Sequence, residues 1–200
     1  MPLARLLMAV GLGLLVGPGP IVGAAPDGPM ALTRSVLEQS NVIVKGPGDR
    51  KEKLGKLSQL LRGFLDTEAL ARLAAAKHLE GRSEAEVKEF LGLFHEFFVR
   101  TYVQRLLLFD APNFGYGEEK VSGDDARVAT EVITPGDRFA VDYVMHRTAQ
   151  GWRATDINVE GVSLARNFRS QFDSAVAREG FAGLLERLRA KVQSGTTNKP

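Results

Sequence analysis

Apolar positions recur three and four residues apart through the first half of the chain, then alternate by two, then return to helical spacing. A helix is predicted from Pro29, which suits a first helical turn, to about Lys45, where Gly46-Pro47 stops it. Asp49 and Glu52 form a capping-box-like pair before Leu54, Leu57, Leu60, Leu61, Phe64 and Leu65, the apolar stripe of a second helix. Asp66-Thr67 restarts the chain into a short helix, Glu68–Ala76. Ser83 with Glu86 is a clearer capping box and opens the longest helix, about Glu84–Phe109. Val87, Phe90, Leu91, Phe94, Phe97, Phe98, Tyr102, Leu106 and Phe109 line one face of it.

From Pro112 the period is two. Gly115–Val121 is a weak strand and Ala126–Thr134 a second. Arg138–Thr148 alternates cleanly, with Phe139, Val141, Tyr143 and Met145 on one face and Asp142 and His146 on the other. Trp152–Glu160 is the last strand. Tight turns at Pro135-Gly136-Asp137 and Gln150-Gly151 make this an antiparallel meander with one apolar and one wet face. Trp152 and Ile157 have opposite parity, so that strand carries a bulge or is covered on both faces. Two helices finish the chain: Ser163–Glu179, stopped at Gly180, and Phe181–Val192. Leu164, Phe168 and Phe172 form one stripe. The expectation is an α+β fold, about four antiparallel strands with helices packed on one face.

The first 24 residues stand outside that domain. A short basic start at Arg5, an apolar run over Leu6–Val16 and small residues at Val22-Gly23-Ala24 read as a secretory signal peptide cut after Ala24. The apolar run is shorter than the roughly 20 residues that span a bilayer. Residues 25–192 are then one domain and 193–200 a disordered polar tail. With 26 basic and 24 acidic residues the balance argues against nucleic-acid binding by bulk charge. The absence of cysteine excludes thiol catalysis, Cys-ligated zinc and a lipid-modified cysteine, and suits an exported protein.

Catalytic motifs are imitated rather than present. Gly161-Val162-Ser163-Leu164-Ala165 resembles a nucleophile elbow between strand and helix. That chemistry needs a histidine after the serine, and His78, His95 and His146 all precede it. Ser163 is better placed to cap the following helix. The histidines have no metal-ligand spacing, so no metal site and no cofactor are expected. One enzyme alternative survives: an α+β cone with a buried acid, similar to ketosteroid isomerases, with Asp142 or Asp156 as that acid. The competing reading has Asp142 facing water and Asp156 paired with an arginine or a backbone amide.

The abundant apolar faces are compatible with an ordinary tight core. They are equally compatible with a core finished by a ligand. The words of the chain bear on this choice. WRATDINVEGVSLARNFRSQF, residues 152–172, resembles the signature of the MlaC family, the toluene-tolerance auxiliary proteins. LLRGFLDT at 60–67 with Leu70-Ala71-Arg72 resembles the family's helix-to-helix junction, Phe90–Tyr102 its long helix, and Gly183-Leu184-Leu185 its final helix. Phe168 stands where a tyrosine is more usual.

The resemblance implies a periplasmic carrier of phospholipid and no enzyme. It would serve an inner-membrane ABC lipid-transport complex and an outer-membrane lipoprotein complex, maintaining outer-membrane lipid asymmetry, with phospholipid as bound ligand. The helices would then surround an apolar lipid cavity. Its expected lining is Phe64, Leu65, Phe94, Phe97, Phe98, Tyr102, Val128, Val132, Val141, Tyr143, Trp152, Val162, Leu164, Phe168 and Leu184. Arg153, Arg166 and Arg169 are candidates for a headgroup or partner contact.

Overall fold

A computed structural model describes residues 28–107 and 112–194. The expected leader (1–24), Phe109 and residues 195–200 lie outside the described residues. Four helices come first: α1 (Pro29–Lys45), α2 (Arg50–Phe64), α3 (Thr67–Leu79) and α4 (Glu84–Leu106). The sheet follows as β1 (Asn113–Ser122), β2 (Asp125–Ile133), β3 (Arg138–Thr148), β4 (Gly151–Val159) and β5 (Val162–Ser163). The last helix, α5, runs from Leu164 to Ser194 and is broken at Gly180.

Local chemistry explains the helix starts. Asp49 accepts from the Glu52 amide at 2.8 Å, and Asp66 from the Ala69 amide at 2.9 Å. Ser83 and Glu86 close a full capping box at the head of α4. Those bonds hold the Glu86 carboxyl below its usual range. α3 is longer than the sequence suggested, starting at Thr67 and reaching Leu79. The final helix also extends two residues past Val192. Among the described residues no helix is long and apolar enough to cross a membrane.

The strands pair antiparallel in simple order, β1-β2-β3-β4-β5. The fifth strand is a correction to the expected four. Glu160 and Gly161 both take positive φ, 51° and 76°, and this turn lays Val162-Ser163 back against Val159 and Asn158. The parity conflict in β4 is a bulge. Val144 pairs with Asp156 and Met145 with Ala154, which leaves Thr155 without an opposite residue. Trp152, Ala154 and Ile157 can then all face the helices. Leu65 bridges to Ala154 as well, tying the α2–α3 junction to the outer side of β4.

The helices cover one face of this sheet. Val128, Val141, Tyr143 and Met145 point into a core shared with Phe64, Phe90, Phe94 and Phe98. Leu57, Val99 and Val103 make a smaller cluster where α2 meets α4. The opposite sheet face is polar, with Arg127 on Asp142 and His146 on Asp125 at 2.8 Å.

Candidate functional site

The densest chemistry in the molecule is a layer of aromatic rings between α4 and α5. Phe90, Phe94, Phe98 and Tyr102 stand four residues apart, so α4 presents them as one ridge. Phe168 and Phe172 do the same on α5. Phe168 is the hub: its ring meets Phe94 edge-on at 5.1 Å, Phe97 at 6.1 Å, Phe98 at 6.2 Å, Tyr102 at 6.4 Å and Phe172 at 5.9 Å. Tyr102 stacks on Phe98 at 4.4 Å. Burial pushes its phenol above the ordinary tyrosine range. On the sheet side Phe64 meets Tyr143 edge-on at 5.3 Å. Burial raises the Tyr143 phenol so far that it is neutral at any working pH.

Gly180 sets the shape of this layer. With φ 69° and ψ 179° it occupies a region almost closed to other residues. The break lets the second arm of α5 turn back, so that Phe181 reaches Phe90 at 6.0 Å and Lys191 reaches the ring of Phe97 at 5.6 Å. Two open grooves run along the resulting seam. One, about 390 Å³, lies between the arms of α5 and has Phe97, Phe168, Phe172, Leu184 and Leu188 in its walls. The other, about 500 Å³, lies beside it and is walled by Phe97, Tyr102, Phe168, Arg105 and Lys191. Both sizes fall in the range of small-molecule sites.

A larger groove of about 800 Å³ lies between α3 and α4, away from the ring layer. Its charges are mixed and largely satisfied: Arg72 pairs with Glu68 at 2.9 Å and Arg82 with Glu86 at 3.7 Å. His95 stands in its wall, bonded through Nδ1 to Thr67 Oγ1 at 2.7 Å.

The structure brings together nearly all the residues expected to line a cavity. Phe64, Leu65, Phe94, Phe98, Val128, Val141, Tyr143, Trp152, Phe168 and Leu184 are buried in one cluster. Phe97, Tyr102, Val132 and Leu164 are half-buried against it. Val162 is apart, 56% exposed on β5. Phe90, Phe172 and Phe181 belong to the same ring layer, and their signal was already there, at four-residue spacing from Phe94 and Phe168 and just after Gly180. Of the three arginines, Arg153 donates to the carbonyls of Arg62 and Leu65, so it caps the end of α2. Arg169 donates to the Leu73 carbonyl, and Arg166 is exposed at the start of α5.

The serine elbow is a cap. Ser163 Oγ accepts from the Arg166 amide at 3.1 Å and donates to Asp156 Oδ2. Asp156 Oδ1 accepts from the amides of Ile157 at 2.8 Å and Ala165 at 3.0 Å. Asp142 lies on the polar sheet face with Arg127. Neither acid points into an apolar chamber. Among the described residues no cluster of His, Asp and Glu could hold a metal ion.

Comparison with known proteins adds two findings. The family model described as MlaC protein matches residues 34–190. The fold is similar to that of the phospholipid-binding protein from Ralstonia solanacearum, solved in complex with a phospholipid. The two superpose with a TM-score of 0.74 at 21% sequence identity, over 84% of this chain and 98% of that one.

Proposed function

The chain belongs to the MlaC protein family, and we propose that it binds phospholipid by its acyl chains and carries it through the periplasm. The tails enter along the α4–α5 seam and take up space between the aromatic layer and the sheet. In this reading residues 1–24 are a removed export signal, and residues 25–192 are the carrier domain. The donor and acceptor are an inner-membrane ABC lipid-transport complex and an outer-membrane lipoprotein complex, and the traffic maintains outer-membrane lipid asymmetry.

The ring layer carries the proposal. It is continuous, apolar, and reaches the surface at Phe97 and Tyr102, where two grooves open onto it. The task requires such a place. Each methylene is worth about 0.8 kcal/mol, so two tails of roughly 30 methylenes cost on the order of 20 kcal/mol to hold in water. Only an apolar interior can offset that. The enzyme alternative loses its acids, because Asp156 is engaged in capping α5 and Asp142 in an exposed ion pair.

The test is direct. The full chain, expressed in a bacterium with its leader and purified without detergent, should yield phospholipid on organic extraction and mass spectrometry. Protein that carries none, and takes none from liposomes, would sink the proposal.

A further inference from the structure

We propose that the α4–α5 seam also reads the headgroup: Arg105 and Lys191 bind the lipid phosphate, and the site favours an anionic headgroup such as phosphatidylglycerol over phosphatidylethanolamine. This rests on the carrier reading above and deepens it.

Three observations meet here. First, the two grooves share Phe97, Phe168, Gln171 and Lys191, so one cation stands on the border of both. Second, the residues walling them include Arg105, Arg178, Arg187 and Lys191 and no aspartate or glutamate. Third, three of those cations, Arg105, Arg178 and Lys191, have no carboxylate partner among the described residues. Arg187 is held by Glu179, and Arg178 donates to the Ser174 carbonyl at 3.1 Å. Lys191 instead lies over the Phe97 ring at 5.6 Å, and Arg105 is 5.7 Å from the Tyr102 ring. The mixed groove between α3 and α4 shows the contrast, for there the arginines face glutamates.

A cation resting on an aromatic face at the lip of an apolar layer suits an amphiphile whose charge sits where its tails begin. The ring beneath belongs with the tails, and the ammonium or guanidinium above it with the phosphodiester. Thr101, Ser170 and Gln171 add hydroxyl and amide groups that can bond to glycerol hydroxyls. An ethanolamine ammonium would find cations and no carboxylate, so it is disfavoured by repulsion as well as by a missing partner.

The protein is stripped of lipid, incubated with equimolar phosphatidylglycerol and phosphatidylethanolamine vesicles at low salt, reisolated and extracted. We expect phosphatidylglycerol enriched about threefold, the scale of solvent-screened charge contacts. Arg105→Gln with Lys191→Gln should bring the ratio to that of the vesicles. Both side chains are exposed, so folding is not at stake. Lys191→Arg alone should keep the preference. Equal uptake by the unaltered protein, or an unchanged ratio in the double variant, overturns this proposal and leaves the carrier standing. No uptake of either lipid overturns both. Glycerol phosphate separates a headgroup site from a free-anion site. Its binding should be abolished by lipid loading, and binding that persists on the loaded protein would overturn the assignment.

Discussion

Phe168→Ala separates a ring layer that is merely core from one that yields to acyl chains. Phe168 is 5% exposed and touches five other rings. Truncating a buried phenylalanine costs about 3–5 kcal/mol, part transfer and part cavity. In a domain of this size that lowers Tm by about 10 °C. If tails displace these rings, the unaltered protein gives up ring contacts whenever it loads. Aromatic pairs are worth about 0.5–1.5 kcal/mol beyond their area, and the variant has already lost them. Loading should therefore favour the variant by about 1.5 kcal/mol, roughly tenfold in affinity. The assay is thermal melting of stripped and phosphatidylglycerol-loaded protein, followed by circular dichroism, with Phe168→Leu as a milder second variant. The lipid-induced rise in Tm should be about 5 °C larger in Phe168→Ala than in the unaltered protein. An equal or smaller rise would mean that the tails do not use this space.

Three further outcomes follow from particular bonds. Gly180→Ala places a Cβ in open space, so its cost is all backbone, about 1–3 kcal/mol, and an unchanged urea midpoint would show that Gly180 does not set the break. Ser163→Ala removes the bond to the Arg166 amide and should lower stability by about 1–2 kcal/mol with lipid content unchanged; lost lipid at unchanged stability would contradict the capping role. Burial holds His95 below its ordinary 6.5, so the unfolded chain binds the proton more readily. Its contribution is full above about 6.5 and is lost as pH falls toward the lowered folded value. Urea melts at about pH 5.5 and about pH 7.5 should thus differ less in His95→Gln than in the unaltered protein, and equal differences would refute the assignment.

What the amino-acid pattern could reveal depends on how far each feature reaches along the chain. The α4 ridge is local: Phe90, Phe94, Phe98 and Tyr102 announce a buried face by spacing alone, and all four meet the core. The β4 bulge was legible as a conflict, because Trp152 and Ile157 cannot share a face on a regular strand, and Thr155 resolves it. β5 was not legible. Two residues carry no period, and their pairing exists only because Glu160 and Gly161 turn the chain back. Val162 stands in the lining that the resemblance implies, but that same turn exposes it. Arg105 and Lys191 lie far apart in the chain, and only the return of α5 beyond Gly180 sets them along one seam. Periodicity had no means of singling them out, and the tract that carries the family resemblance pointed instead to Arg153, Arg166 and Arg169, of which Arg153 and Arg169 are engaged by backbone carbonyls. The deepest limit concerns the rings themselves. A face that packs on its own chain and a face that packs on an acyl chain must both be apolar, so they leave the same stripe. The two differ in the free energy of parting Phe168 from its neighbours. That quantity depends on how α5 is held at its far arm, where exposed pairs such as Arg189 with Glu89 contribute at most about 1 kcal/mol each. That arm is fastened chiefly by Phe181, Leu184, Leu185 and Leu188, buried in the same core, so what an acyl chain would displace is apolar packing, the exchange on which a carrier depends. It must hold its interior closed in water and still open when a lipid offers a larger apolar surface than the rings give up.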